Sequence, residues 1–179
     1  MSRRRTGAAI GLLALLALGP AADRAAAAPL VGAPAPPFAA TSFDGQRFDT
    51  RALRGRVVLL HFWATWCDAC RTEMPALQRV YAELHARGLE LLAVSADEPR
   101  DRKAALAMAA AMQLPAAMLE FARPNGFGAP PVLPITYVIG RDGVLRARLL
   151  PAHEPLTEAA LRAAVEPLLE APAPAVSGQ

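Results

Sequence analysis

The sequence predicts an α/β fold: a central mixed β-sheet flanked by helices, with an N-terminal β-hairpin extension. Three observations carry this expectation. "RVVLLHFWA", Arg56 to Ala64, and "LELLAVSAD", Leu89 to Asp97, are nearly continuous apolar runs of strand length, as central strands covered on both faces should be. Between them Cys70, Leu77 and Leu84, with Glu73, Met74, Val80 and Tyr81, repeat at helical spacing, and a helical crossover of that length joins parallel neighbours. Further on, "ITYVI" and "VLRARLL" are separated by Arg141-Asp142-Gly143, a turn so tight that the pair must be antiparallel.

The elements follow in order. Residues 1–27 have a secretory layout, with Arg3, Arg4 and Arg5 ahead of an apolar run from Gly7 to Leu18 and small residues from Ala25 to Ala28. Gly19-Pro20 ends that run short of the roughly 20 residues a spanning helix needs. The expectation is a signal cut near Ala27, with an uncleaved inner-membrane anchor as the alternative. No cysteine lies near the cut, which excludes a lipoprotein anchor. A domain over 28–170 and a disordered Ala/Pro-rich tail over 171–179 complete the division.

After the Pro-rich entry "APLVGAPAPPF", "ATSFDGQRFDT" alternates about Asp44-Gly45, a hairpin signal. "RALRG" suits one helical turn. The helix from Cys67 contains Pro75, which removes one backbone donor, and closes at Gly88. Pro99 to Gln113 is expected to be helical, "AAMLEF" a weaker strand and "ARPNGFGAPPV" a loop. Thr157 is a candidate cap for a last helix, with Glu158 favourable in its first turn. Helices are expected on both faces of the sheet.

Charge narrows the function classes. The 179-residue chain has 19 Lys+Arg and 16 Asp+Glu, and residues 1–27 hold four of the former and one of the latter, which leaves 15 of each. A formally neutral domain removes the electrostatic case for nucleic acid.

The chemistry concentrates in "HFWATWCDACRTEMP", residues 61–75, which holds both cysteines of the chain. A structural staple gains most by closing a long loop, and Cys67 to Cys70 closes a very short one. Structural zinc needs four ligands, but no second C-x-x-C or histidine pair accompanies this one. His61, His85 and His153 are scattered and read as ordinary strand, helix and loop residues. Haem attachment would need histidine where Arg71 stands. Redox exchange suits the local physics best. Cys67 at a helix start meets unpaired N–H groups that favour a thiolate. Cys70, one turn on, is within reach to resolve a mixed disulfide. Trp63 fits core packing, whereas Trp66 suits a surface where a partner peptide docks.

At these residues the sequence resembles the thioredoxin superfamily, and within it the TlpA/ResA-like group of exported thiol–disulfide oxidoreductases. The resemblance rests on "FWATWCDACRTEMP", on "GRVVLLH" before it, on "VGAPAPPFAATSFDG" upstream and on "LPITYVIGRDG" downstream, and covers most of Val31 to Leu169. It implies a thioredoxin-like fold, Cys67 as exposed nucleophile and Cys70 as resolving thiol. It also implies a cis-proline at Pro134, where Leu133 and Pro134 offer backbone groups to a bound client. Glu73 matches the acidic residue of C-x-x-C-x-x-E. Helical spacing turns it inward with Cys70, where burial should raise its pKa and fit it to exchange the Cys70 proton. A surface glutamate paired with Arg71 is the alternative.

Asp68 and Ala69 depart from the proline often found between the family's cysteines. An aspartate beside Cys67 disfavours the thiolate, and each pKa unit is worth about 1.4 kcal/mol, or roughly 30 mV. The expectation is therefore a reducing protein, not a strong oxidant.

Together these imply a monomeric reductase of the bacterial periplasm. Its clients would be disulfide-bearing proteins of cytochrome c maturation or copper-centre assembly type. Its electron donor would be a membrane thiol, and its cofactor nothing beyond the Cys67–Cys70 disulfide. Two other classes stay open. A thiol peroxidase normally has T-x-x-C, but Thr65 stands one place too late. A non-catalytic copper-binding chaperone would lack the paired histidine expected beside the thiols.

Overall fold

The computed structural model describes residues 29–151 and 155–172. The expected leader over 1–27, His153 and residues 173–179 of the expected tail lie outside the described residues.

The hairpin forms where the alternation predicts it. Strands β1 (Ala39–Thr41) and β2 (Arg47–Asp49) pair antiparallel. Gly45 turns between them at φ +86, and the Asp44 carboxylate accepts from the Ser42 hydroxyl. "RALRG" forms turns instead of a helix, and Gly55 N–H is drawn to the carbonyl of Arg141.

The two apolar runs become β3 (Val57–Trp63), buried throughout, and β4 (Leu89–Ser95), its parallel neighbour in register from Val57↔Leu89 to Trp63↔Ser95. Helix α1 (Asp68–Leu84) connects them, accommodates Pro75, and leads through a 3-10 turn, His85–Arg87, to Gly88. Helix α2 is Arg102–Ala111, shorter than predicted because a 3-10 turn takes Pro99–Asp101 and Gln113 lies at φ +51. Strand β5 is cut to Ala116–Met118, and Leu119–Phe121 is a 3-10 turn. Strands β6 (Ile135–Ile139) and β7 (Leu145–Leu149) pair antiparallel around the tight turn, with β6 antiparallel to β3. Thr157 caps α3 (Glu158–Glu170), its hydroxyl accepting from Ala160 N at 3.2 Å. The sheet order is β5-β4-β3-β6-β7.

Alternation along β3 splits the core. Val57, Leu59 and Trp63 pack with Leu77 and Val80 of α1, Ala105 and Ala109 of α2, and Leu161 and Val165 of α3. Val58, Leu60 and Phe62 pack with Phe38, Phe48, Phe127 and Tyr137, and no α-helix contributes to that cluster. The expected helices on both faces are corrected here. Both parallel crossovers step in one direction, from β3 to β4 to β5, so their right-handedness puts α1 and α2 on one side. The opposite face is covered by the hairpin and residues 119–133. This cover is fastened by Arg123 N–H to Ala39 O, 2.8 Å, and Ala39 N–H to Pro124 O, 2.9 Å, beside a cis Arg123–Pro124 bond. Among the described residues no helix is long and apolar enough to cross a membrane.

Candidate active site

Topology gathers the chemistry at one end of the sheet. Strand β3 ends at Trp63 and leads within four residues to Cys67, while β6 begins at Ile135, the partner of Phe62. That register sets Pro134 level with Trp63. The loops after β4, β5 and β7 open at the same end, because Ser95 pairs with both Trp63 and Met118, and Leu149 with Thr136.

Cys67 and Cys70 form a disulfide, with Cα atoms 5.3 Å apart. Cys67 is the N-cap of α1, its sulfur accepting from the Cys70 N–H at 3.2 Å. It retains 8% exposure, whereas Cys70 retains none. The pair is therefore asymmetric in a small degree: Cys67, nearly buried, keeps a little exposure at a helix terminus that favours negative charge, and Cys70 keeps none. The exposed nucleophile expected from the resemblance is not what the oxidised structure shows.

Trp63 is fully buried in the core, and Trp66 is 68% exposed beside Cys67. The Leu133–Pro134 bond is cis, the geometry that the resemblance implies, and Pro134 is buried. Leu133 packs against both cores, the first of which includes both cysteines. Ala69 is exposed in the first helical turn. Asp68 is exposed too, and pairs with the guanidinium of Arg71, which also donates to Thr65 O at 2.9 Å. A cation thus offsets the Asp68 charge beside Cys67.

Glu73 is buried on the inner face of α1, and Arg71 is engaged elsewhere, so the surface-pair alternative is not realised. Its Oε1 accepts from Leu156 N at 2.9 Å. Burial pushes the Glu73 carboxyl above its ordinary range, and the Leu156 N–H partly opposes that shift.

Two features escaped the sequence. Leu156, the partner of Glu73, has an apolar side chain and acts through its backbone, which no residue pattern marks. Asp97, expected only as a strand end, is a buried clamp. Its carboxylate accepts from Thr65 N at 3.0 and 3.1 Å, from Thr65 Oγ1 at 2.7 Å and from Ser95 Oγ at 2.7 Å. It ties the turn that carries Trp66 and Cys67 to the end of β4. Among the described residues no three His, Cys, Asp or Glu side chains are grouped to hold a metal ion.

Comparison with known proteins agrees with this geometry. Residues 31–148 match the AhpC/TSA family. Over 120 residues the chain is 28% identical to a thiol-disulfide oxidoreductase ResA of Bacillus cereus, covering 67% of this chain and 69% of that one. It is 32% identical over 114 residues to ResA of Bacillus thuringiensis (strain Al Hakam), covering 63% of this chain and 65% of that one. A crystal structure of a thiol:disulfide interchange protein of the thioredoxin family, from Chlorobium tepidum TLS, superposes with a TM-score of 0.62. It is 25% identical and covers 76% of this chain and 96% of its own.

Proposed function

The chain belongs to the AhpC/TSA family as a TlpA/ResA-like thiol–disulfide oxidoreductase of the thioredoxin superfamily, and from that premise we propose that it is an exported reductase of client-protein disulfides. The observation that carries the reading is the asymmetric pair, one cysteine capping α1 with slight exposure and its partner wholly buried one turn on.

In the reduced protein the Cys67 thiolate attacks a client disulfide. A bond forms between Cys67 and one client sulfur, and the other client sulfur leaves as a thiolate. Cys70 gives its proton to the Glu73 carboxylate and attacks Cys67. The Cys67–client bond breaks, and the two electrons of the dithiol end on the client. The client peptide lies along exposed Trp66 and half-buried Leu133, against the backbone that leads into buried Pro134. Asp68 and Ala69, with Arg71 opposing, tune the Cys67 thiolate and keep the couple reducing. The leader pattern over 1–27 supports work in the periplasm, where a membrane thiol donor recharges the disulfide. Clients of cytochrome c maturation or copper-centre assembly type are the class that the resemblance supports, with the protein acting as a monomer.

A peroxidase reading is disfavoured, because the Thr65 hydroxyl is spent on Asp97. Reduced protein should reduce insulin disulfides, and Cys70→Ser should stall as a mixed disulfide through Cys67. Peroxide consumption by Cys70→Ser, with no insulin reduction by the intact dithiol, would overturn the proposal.

A further inference from the structure

The turn that joins β3 to α1 is held from two sides. Cys67 N–H closes it on Ala64 O at 3.2 Å, with Thr65 and Trp66 as its two central residues. Every polar group of Thr65 is taken by a side chain from another element. Its N–H and its hydroxyl go to the Asp97 carboxylate, and its carbonyl accepts from Arg71 Nη1 at 2.9 Å. Arg71 is in turn paired with Asp68, so one grip comes from the end of β4 and the other from α1.

Asp97 is itself fixed. Ser95 Oγ donates to its carboxylate at 2.7 Å and accepts from its N–H at 3.1 Å. One residue before it, Ala96 N–H donates to Trp63 O at 2.8 Å and joins the end of β4 to the end of β3. Asp97 is buried, and its hydrogen-bond partners among the described residues, Thr65 and Ser95, carry no charge. A carboxylate is harder to bury than a neutral side chain, so one kept here without a countercharge points to a geometry that must be held.

What that geometry presents is Trp66, whose indole stands exposed beside Cys67. On a mobile turn an indole would fold onto nearby apolar surface. Here the peptide groups on either side of Thr65 are both held, one by its N–H and the other by its C=O, and that restricts where the indole can go.

We infer that Asp97 is a positioning residue for client choice: through Thr65, and with Arg71 on the other side, it holds Trp66 out as a preformed contact for a polypeptide and so favours protein disulfides over small ones. The inference rests on the disulfide-reductase reading and deepens it by naming what selects the substrate class. A contact already in its bound geometry spares part of the ordering cost of binding. An extended client lays its chain against the indole while its disulfide meets Cys67. A small disulfide reaches Cys67 without the indole.

The test measures second-order rate constants of the reduced protein with insulin and with 2-hydroxyethyl disulfide, and reads their ratio. Trp66→Ala should lower the ratio about tenfold. Asp97→Ala should lower it about fivefold, and Thr65→Val, which loses only the hydroxyl bond, about threefold. Thr65→Ser keeps that bond and should restore the wild-type ratio. Asp97→Ala combined with Trp66→Ala should fall no lower than Trp66→Ala alone, because the first acts through the second. If Asp97→Ala does not fold, Thr65→Val carries the test, alone and combined with Trp66→Ala. An active wild type whose ratio survives Asp97→Ala and Thr65→Val, or losses that add in the double variant, would overturn the inference and leave the reductase reading standing. A wild type that reduces neither disulfide sinks the reductase reading, and the inference with it.

Discussion

Neutral burial of His61 ties folding to pH in a window where few other groups act. Its pKa falls from an ordinary 6.5 to about 3 on folding, with burial as the cause. A depressed folded value means that the unfolded chain takes the proton first. The associated stability is fully present above 6.5 and is lost as pH falls toward 3. With about 1.4 kcal/mol per unit, acidification from pH 7 to pH 5 should cost about 2 kcal/mol through this residue alone. Asp44, lowered by its Ser42 hydrogen bond, and Asp49, lowered by Arg51, begin near 3.8 and act below the window. Glu73, raised by burial, acts with the opposite sign but is common to both proteins compared. Urea unfolding of oxidised wild type and of His61→Gln at the two pH values isolates the difference. The wild type should lose about 2 kcal/mol more than the variant. Parallel losses would refute the argument that His61 is buried uncharged.

Glu73→Gln keeps an acceptor for Leu156 N–H but removes the proton site, and mixed-disulfide release should slow by about 100-fold or more in stopped-flow assays. The same variant should flatten a stability slope of opposite sign. The raised folded pKa contributes stability that is present below 4.5 and lost as pH rises through the folded value, which urea midpoints across that range will read. Asp97→Asn weakens the Thr65 clamp and should cost roughly 1–3 kcal/mol at pH 7 by denaturant unfolding. Thr157→Ala removes the cap of α3 and should cost about 1 kcal/mol by thermal unfolding.

What the residue pattern makes legible is what depends on side-chain periodicity. Strands β3, β4, β6 and β7, helix α1 and the Thr157 cap follow from burial spacing and turn chemistry, and they emerge with boundaries close to those expected. Strand β5 is harder, because three small or flexible residues, Ala116 to Met118, carry little strand signal. The one-sided placement of α1 and α2 depends on the order β5-β4-β3, a long-range property that local spacing does not encode. At the site, the inward turn of Glu73 follows from helix geometry. Its contact with Leu156 is a backbone bond across 83 positions, and the Asp97 clamp joins residues 32 apart. His61 reads as an ordinary strand residue because the pattern shows neither its complete burial nor that its Nε2 has no partner among the described residues, which only the packed core reveals.

In the proposed cycle one atom, the sulfur of residue 67, both closes the first turn of α1 and takes part in every round. Bonding to a client therefore alters the acceptor that the amide of residue 70 relies on, so the ordering of this helix end is coupled to the progress of the reaction. Solvent-proton exchange at that amide should thus track the covalent intermediate without any label on the substrate. The same coincidence means that replacing residue 67 removes a nucleophile and a cap together, and the two losses must be separated by other means.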